Sequence, residues 1–296
     1  LIDEIKITSL SGRGSVTMKT RDYTGYWLGT VDWGQVQGQH QTYKYYNQVG
    51  ENIVSTTVDS RPLSITGWVV EAGAGDLQSR CDFLNAFLSP VEDYELEYKD
   101  RKIQFRPDCS IAYGRPYLQN NNKVRRFLIQ ATCPYPLFTG LHDTAAPFDS
   151  TGKLFRFPTN FGQLAPLVFA TLDKTYSVEI NNSGGFSAGI TAMLKFSGEV
   201  VNPRIKNLTT GKLIGVRRTF QRGERLEIST TPGSKHMTLW TQDGGRENLI
   251  KYRDVRTSWL QLEPGRNLLA LDCDDLDQRG SMTVTVYFTK RYLEVE

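Results

Sequence analysis

Glu199–Gly215 reads EVVNPRIKNLTTGKLIG, and its punctuation decides how this part of the chain is built. Pro203 breaks a helix and donates nothing to a ladder, while Thr210-Gly211 supplies the positive φ of a tight turn. The runs IKNL and KLIGV are therefore expected to pair as a β-hairpin. Such a hairpin can frame a catalytic cleft or form one rung of a structural sandwich, and the flanking sequence has to separate the two.

The same pattern repeats through the second half. Turn signals recur at Asn182-Ser183-Gly184, Ser197-Gly198, Arg222-Gly223, Pro232-Gly233, Asp243-Gly244, Pro264-Gly265 and Arg279-Gly280. Between them lie YSVEI, ITAMLKF, PRIKNL, KLIGV, ERLEI, MTLW, NLLAL and MTVTVYF, at about the 8 to 12 residue spacing of a sandwich. The expectation is an all-β sandwich over 154–296, with the opening hairpin as one rung.

The first half, 1–137, reads as a β-rich domain with one α-helix. YWLGTVDWG and RPLSITGWVV alternate with the period of half-buried strands, on either side of a polar, Gln-rich segment with several tyrosines. YELEY and KIQF flank a second hairpin turn at Lys99-Asp100-Arg101, and RRFLIQATCP is a further strand. The helix is DLQSRCDFLNAFLSP, opened by Asp76 and closed at Ser89-Pro90. Leu77, Cys81, Leu84 and Leu88 form one apolar face, with Phe83 and Phe87 as a second stripe beside it. Core packing accounts for one stripe; the other is free to meet a further element or another subunit. Between the halves, residues 138–153 are rich in Pro, Gly, Ser and Thr and read as a linker.

At 296 residues, with 39% hydrophobic and 23% charged residues and a net charge of +3, the chain has the bulk of two ordinary globular domains. The cluster Arg217, Arg218, Arg222 and Arg225 reads as a solvated hairpin, and the balance of charge points away from nucleic acid. No apolar run reaches the length of a membrane span. Cys81, Cys109, Cys133 and Cys273 stand far apart with no C-x-x-C spacing, which reads as reduced thiols made in a cytoplasm.

Chemistry-bearing motifs are sparse. His40, His142 and His236 stand alone, and no phosphate loop, G-x-S-x-G or dinucleotide fingerprint occurs. The acidic run 271–277 departs from a calcium loop at Leu276. The reading is a protein without catalytic residues, bound metal or cofactor. Aromatic side chains are dense in the first half, as suits sugar stacking or protein interfaces.

The order of VDWG, YKYYNQVGENIVSTTVDSRPLSITGWVV, a helix ending FLSP, FRFPTNFG, LAPLVF, VEINNSG, FSGEVVNPRIKNLTTGKLIG, SWLQLEPGRNLLAL and VTVYFTKRYLEV resembles the distal tail proteins of tailed bacteriophages, of the siphophage-type baseplate hub family. The resemblance runs over nearly the whole chain. It implies a structural virion protein: an N-terminal domain forming a homo-hexameric ring, followed by a galectin-like antiparallel β-sandwich. It also implies a position at the distal end of the tail, after assembly in the host bacterial cytoplasm. The implied partners are further copies of the chain, the tail tube protein, the tail-tip hub protein, the tape measure protein and receptor-binding proteins. The competing expectation is a carbohydrate-binding, lectin-like protein, suggested by the aromatics and the sandwich. Candidate subunit-interface residues are Trp33, Tyr43, Tyr45, Tyr46, Phe83 and Phe87.

Overall fold

The structure, a computed structural model, describes residues 2–22, 25–71, 76–115, 123–148, 150–152, 171–173 and 176–295. The runs FRFPTNFG and LAPLVF lie outside the described residues. The chain divides into two compact units, one made of Leu1–Leu141 with Tyr292–Glu296 and the other of His142–Arg291.

The strands of the first unit, in chain order, are β1 (Glu4–Ser9), β2 (Ser15–Lys19), β3 (Tyr26–Asp32), β4 (Gly38–Tyr43), β5 (Asn52–Val58) and β6 (Arg61–Val70). After helix α1 (Asp76–Phe87) come β7 (Tyr94–Tyr98), β8 (Arg101–Pro107), β9 (Ala112–Tyr113), β10 (Val124–Cys133) and β11 (Phe138–Gly140). β8 pairs with β7 and also with β10, so the path β7-β1-β2-β3-β6-β10 closes on itself as a barrel. Closure removes the open edges that a sheet of this length would otherwise present.

Period-two alternation fills the barrel: Ile5 and Ile7 from β1, Val16 and Met18 from β2, Leu63, Ile65 and Val69 from β6, and Phe127 and Ile129 from β10 are all buried. Gly67 sits among them because a Cβ there would lie 2.4 Å from the Trp27 carbonyl oxygen and 2.6 Å from the Phe127 ring. Cys81, Leu84, Phe87 and Leu88 of the helix segment join the same core. Tyrosine hydroxyls hold the helix in place. Tyr94 donates to the Phe87 carbonyl at 2.6 Å, Tyr26 to that of Arg80 and Tyr113 to that of Cys81, both at 3.1 Å. These bonds satisfy phenols that burial would otherwise leave without water.

The second unit contains β12 (Thr144–Pro147), β13 (Ser150–Gly152), β14 (Thr171–Asp173), β15 (Ser177–Asn182), β16 (Ala188–Phe196), β17 (Val200–Val201), β18 (Arg204–Asn207) and β19 (Leu213–Gly215). It continues with β20 (Thr219–Phe220), β21 (Arg225–Ser229), β22 (His236–Trp240), β23 (Arg246–Asn248), β24 (Gln261–Leu262), β25 (Gly265–Asp272) and β26 (Met282–Phe288). One sheet runs β12-β26-β16-β21-β22-β23 and the other β15-β25-β18-β19. Ile190, Leu194, Leu226, Ile228 and Val284 of the first share a single core with Ile180, Ile205, Ile214 and Leu269 of the second. This is an antiparallel β-sandwich.

The hairpin read from Glu199–Gly215 is present, with Ile205 opposite Ile214 and both fully buried. Gly211 has φ 71°, and the Asn207 side-chain oxygen accepts from Thr209 N at 3.0 Å and Thr210 N at 3.3 Å. An Asx turn thus closes the loop, and Gly takes the left-handed position at no steric cost.

Three boundaries differ from the sequence reading. The stretch 138–153, expected as a linker, carries β11, β12 and β13, and Phe138 is 1% exposed in the barrel core. β12 is an edge strand, where Pro147 is tolerated because only one side has to pair. The second compact unit begins at His142 rather than at 154. The end of the chain belongs to the first unit rather than the sandwich: the buried Arg61 donates to the Leu293 carbonyl at 2.6 Å, and the Arg101 guanidinium lies 4.0 Å over the Tyr292 ring.

Candidate assembly surface

Residues 38–58 form a β-hairpin that stands apart from the barrel sheet. Among the described residues β4 and β5 pair only with each other, from Gly38 opposite Val58 to Tyr43 opposite Asn52, with a register shift between Gln41 and Thr42. The pairing is local in origin: NIVSTTV is β-branched, and the connecting loop places Asn47 at φ 61° and Gly50 at φ 82°. Polar side chains reinforce the ladder. Ser55 Oγ donates to Gln41 Oε1 and His40 Nδ1 meets Thr56 Oγ1, both at 2.9 Å, while Asn52 Nδ2 donates to Gln48 Oε1 at 3.1 Å.

No residue from 38 to 58 is buried. Tyr46 is 95% and Val49 99% exposed, and Tyr43, Tyr45, Ile53, Val54 and Val58 are exposed with them. Tyr43 and Tyr45 meet edge to face at 5.0 Å. A two-stranded ribbon with no core of its own is marginal in water, and among the described residues both of its outer edges carry backbone groups without ladder partners. The arrangement has a chemical use: either edge can accept another strand, and the tyrosines offer broad half-polar contacts.

The six candidate residues separate in the structure. Tyr43, Tyr45 and Tyr46 come together on the hairpin. Phe83 is 53% exposed on α1, stacked on Phe87 at 6.2 Å. Phe87 is 4% exposed and belongs to the barrel core, against Tyr94 at 5.6 Å. Trp33 is half-buried, edge-on to Phe138 at 5.2 Å and near Tyr98 at 6.0 Å. Phe87 is therefore a core residue of the barrel, while Trp33 packs against that core and stays partly exposed. Ile53, Val54 and Val58 were missed as surface residues; the signal available was a β-branched run with no alternating polar face.

The sequence profile described as the phage tail protein RIFT-related domain matches residues 28–133, which includes the hairpin. That described as the siphovirus-type tail component, C-terminal domain, matches residues 183–292. The chain belongs to the distal tail protein family of siphophages. No curated protein sequence matches it. Among solved structures, this distal tail protein is similar in fold to the SPP1 Dit protein (gp 19.1), described as a paradigm of the hub adsorption apparatus in phages that infect Gram-positive bacteria. That pair has 14% identity and a TM-score of 0.66 over 98% of this chain and 99% of the other. A chain of the phage P2 baseplate in its activated conformation is similar over the full length of both, with 12% identity and a TM-score of 0.51. The acidic run considered for calcium is occupied by cations and turns in this family member: Asp272 meets Lys206 Nζ at 2.8 Å, Asp274 pairs with Arg204, and Asp275 caps Asp277 N at 3.0 Å.

Proposed function

We propose that this distal tail protein assembles into a homo-hexameric ring at the tail tip, with the barrel unit forming the ring and the hairpin 38–58 as the arm that reaches the neighbouring subunit. The observation that carries the reading is the hairpin itself. Its exposed apolar surface and two unpaired edges are costly on an isolated subunit, and a second copy covers both. In the ring, one side faces the tail tube and tape measure proteins, the other the tail-tip hub protein, and the sandwich unit is available to receptor-binding proteins. The printed descriptions of the SPP1 and P2 proteins, a hub adsorption apparatus and a baseplate, support the location on the virion.

Native mass spectrometry of the purified protein tests this. The parent chain is expected as a hexamer, and a variant with 38–58 replaced by a short Gly-Ser linker as a monomer of unchanged circular dichroism. A parent that stays monomeric at high concentration contradicts the ring, and a hexamer that survives the deletion contradicts the arm.

A further inference from the structure

The outer face of the β12-β26-β16-β21-β22-β23 sheet holds a depression of about 570 Å³ that the ring leaves unexplained. It is lined by Met193 and Lys195 of β16, Arg225 of β21, Trp240 of β22, Thr285 and Tyr287 of β26 and, from the turns, Gly223, Thr241, Gln242 and Gly244. Pairing register places Lys195, Arg225, Trp240 and Arg246 in one row across four adjacent strands. Neighbouring members of such a row stand about 5 Å apart.

The charges in this row are unbalanced. Lys195 and Arg225 lie directly opposite each other, a pairing that destabilises a sheet, and among the described residues neither has a hydrogen-bond or ion-pair partner. Elsewhere on the unit, cations of neighbouring strands meet acids, as Lys206 meets Asp272 at 2.8 Å and Arg266 meets Glu179 at 2.5 Å. Glu227, two residues along β21 from Arg225 and on the same face, is already engaged, accepting from Trp240 Nε1 at 3.3 Å and meeting His236 Nε2 at 3.2 Å. No carboxylate lines the depression. Trp240 is fixed by that bond and by the Arg246 guanidinium 4.3 Å over its ring, so little freedom remains to be lost on binding.

We propose that this face binds an acidic glycan. Trp240 and Tyr287 present apolar ring surface to the sugars, Thr285 and the remaining amide oxygen of Gln242, whose Nε2 already donates to the Arg222 carbonyl, offer polar groups to their hydroxyls, and Lys195 with Arg225 receives a carboxylate or phosphate group. Charge complementarity selects the acid, since an anion relieves a repulsion that the free sheet carries, and the aromatic pair selects the sugar over a simple ion.

The test uses the full chain on an array carrying polyuronate, sialylated and phosphorylated oligosaccharides beside neutral oligosaccharides and oligoglutamate peptides. The expected result is retention on at least one acidic glycan class at tenfold or more the level on neutral glycans and on oligoglutamate. The retaining class tells carboxylate from phosphate. Trp240→Ala and the double variant Lys195→Gln, Arg225→Gln are each expected to reduce retention at least tenfold with circular dichroism and native mass unchanged. Retention on no acidic glycan, equal retention on neutral glycans or on oligoglutamate, or full retention by the folded variants overturns the proposal. Native mass on the same samples reports the ring separately, so failure of one reading leaves the other standing.

Discussion

Asp254 is 2% exposed, and its carboxylate accepts from the Arg256 backbone N at 2.9 Å, Nη2 at 3.0 Å and Nε at 3.3 Å, with the buried Arg204 at 3.9 Å. The hydrogen bonds from the Arg256 side chain hold its pKa at about 2, below the ordinary 3.8. A depressed pKa means that the charged form favours the folded state, so the contribution is whole above about pH 4 and is lost as pH falls through about 2. Asp254→Asn leaves the donors of Arg204 and Arg256 short of an acceptor and is expected to cost roughly 1–3 kcal/mol at neutral pH. Calorimetry should show the gap in melting temperature between parent and variant closing between pH 4 and pH 2; a gap that is constant over that range contradicts the assignment. Cysteine chemistry offers a second check at the same scale. Cys81, Cys133 and Cys273 are buried, and burial pushes the Cys133 thiol up to about 12, while Cys109 is exposed. One thiol should react with a disulfide reagent in the native protein and all four after unfolding without reductant; two or more fast native thiols would place a buried cysteine wrongly. The Asp254 network was not legible in the sequence, because Arg204 of β18 meets the loop at 254–256 only through the sandwich.

At the level of elements, the helix shows where pattern succeeds and where it stops. Cys81, Leu84 and Leu88 point inward as their spacing requires, yet Phe83 and Phe87, one turn apart on one stripe, end on opposite sides of the burial boundary. Periodicity gives the direction of a face but not where the neighbouring strands end. Leu84→Asp places an unpaired charge at a position with no exposure and is expected to unfold the barrel unit at a cost of several kcal/mol. Gln78→Asp, exposed and in the first turn where an acid suits the helix dipole, should be nearly silent, its gain set against repulsion from Asp82, to which Gln78 now donates at 2.9 Å. Equal melting temperatures for the two variants would show the wrong face. Long strands such as β6, β10 and β16 were readable because alternation persists in them. β9, β17, β20 and β24, two residues each, are shorter than one period of any pattern and exist through their partners alone.

For the whole molecule, the sandwich could be read from turn spacing, but the barrel could not. Its closure rests on Ala131 opposite Pro107 and Thr132 opposite Arg106, a contact between strands that nothing local encodes. The return of residues 292–295 to the first unit is equally invisible, since Arg61 and Arg101 are far from that segment in sequence. The hairpin 38–58 was legible only as a polar, Gln-rich stretch with several tyrosines, and the structure adds that none of it is buried. Its role is tested most directly by placing photoreactive benzoylphenylalanine at Tyr46 in the assembled protein and mapping the crosslinks by mass spectrometry. The account predicts crosslinks from position 46 to the barrel unit of a second copy, giving covalent multimers on a denaturing gel. A hexameric sample that yields only crosslinks within one chain, or none, contradicts it.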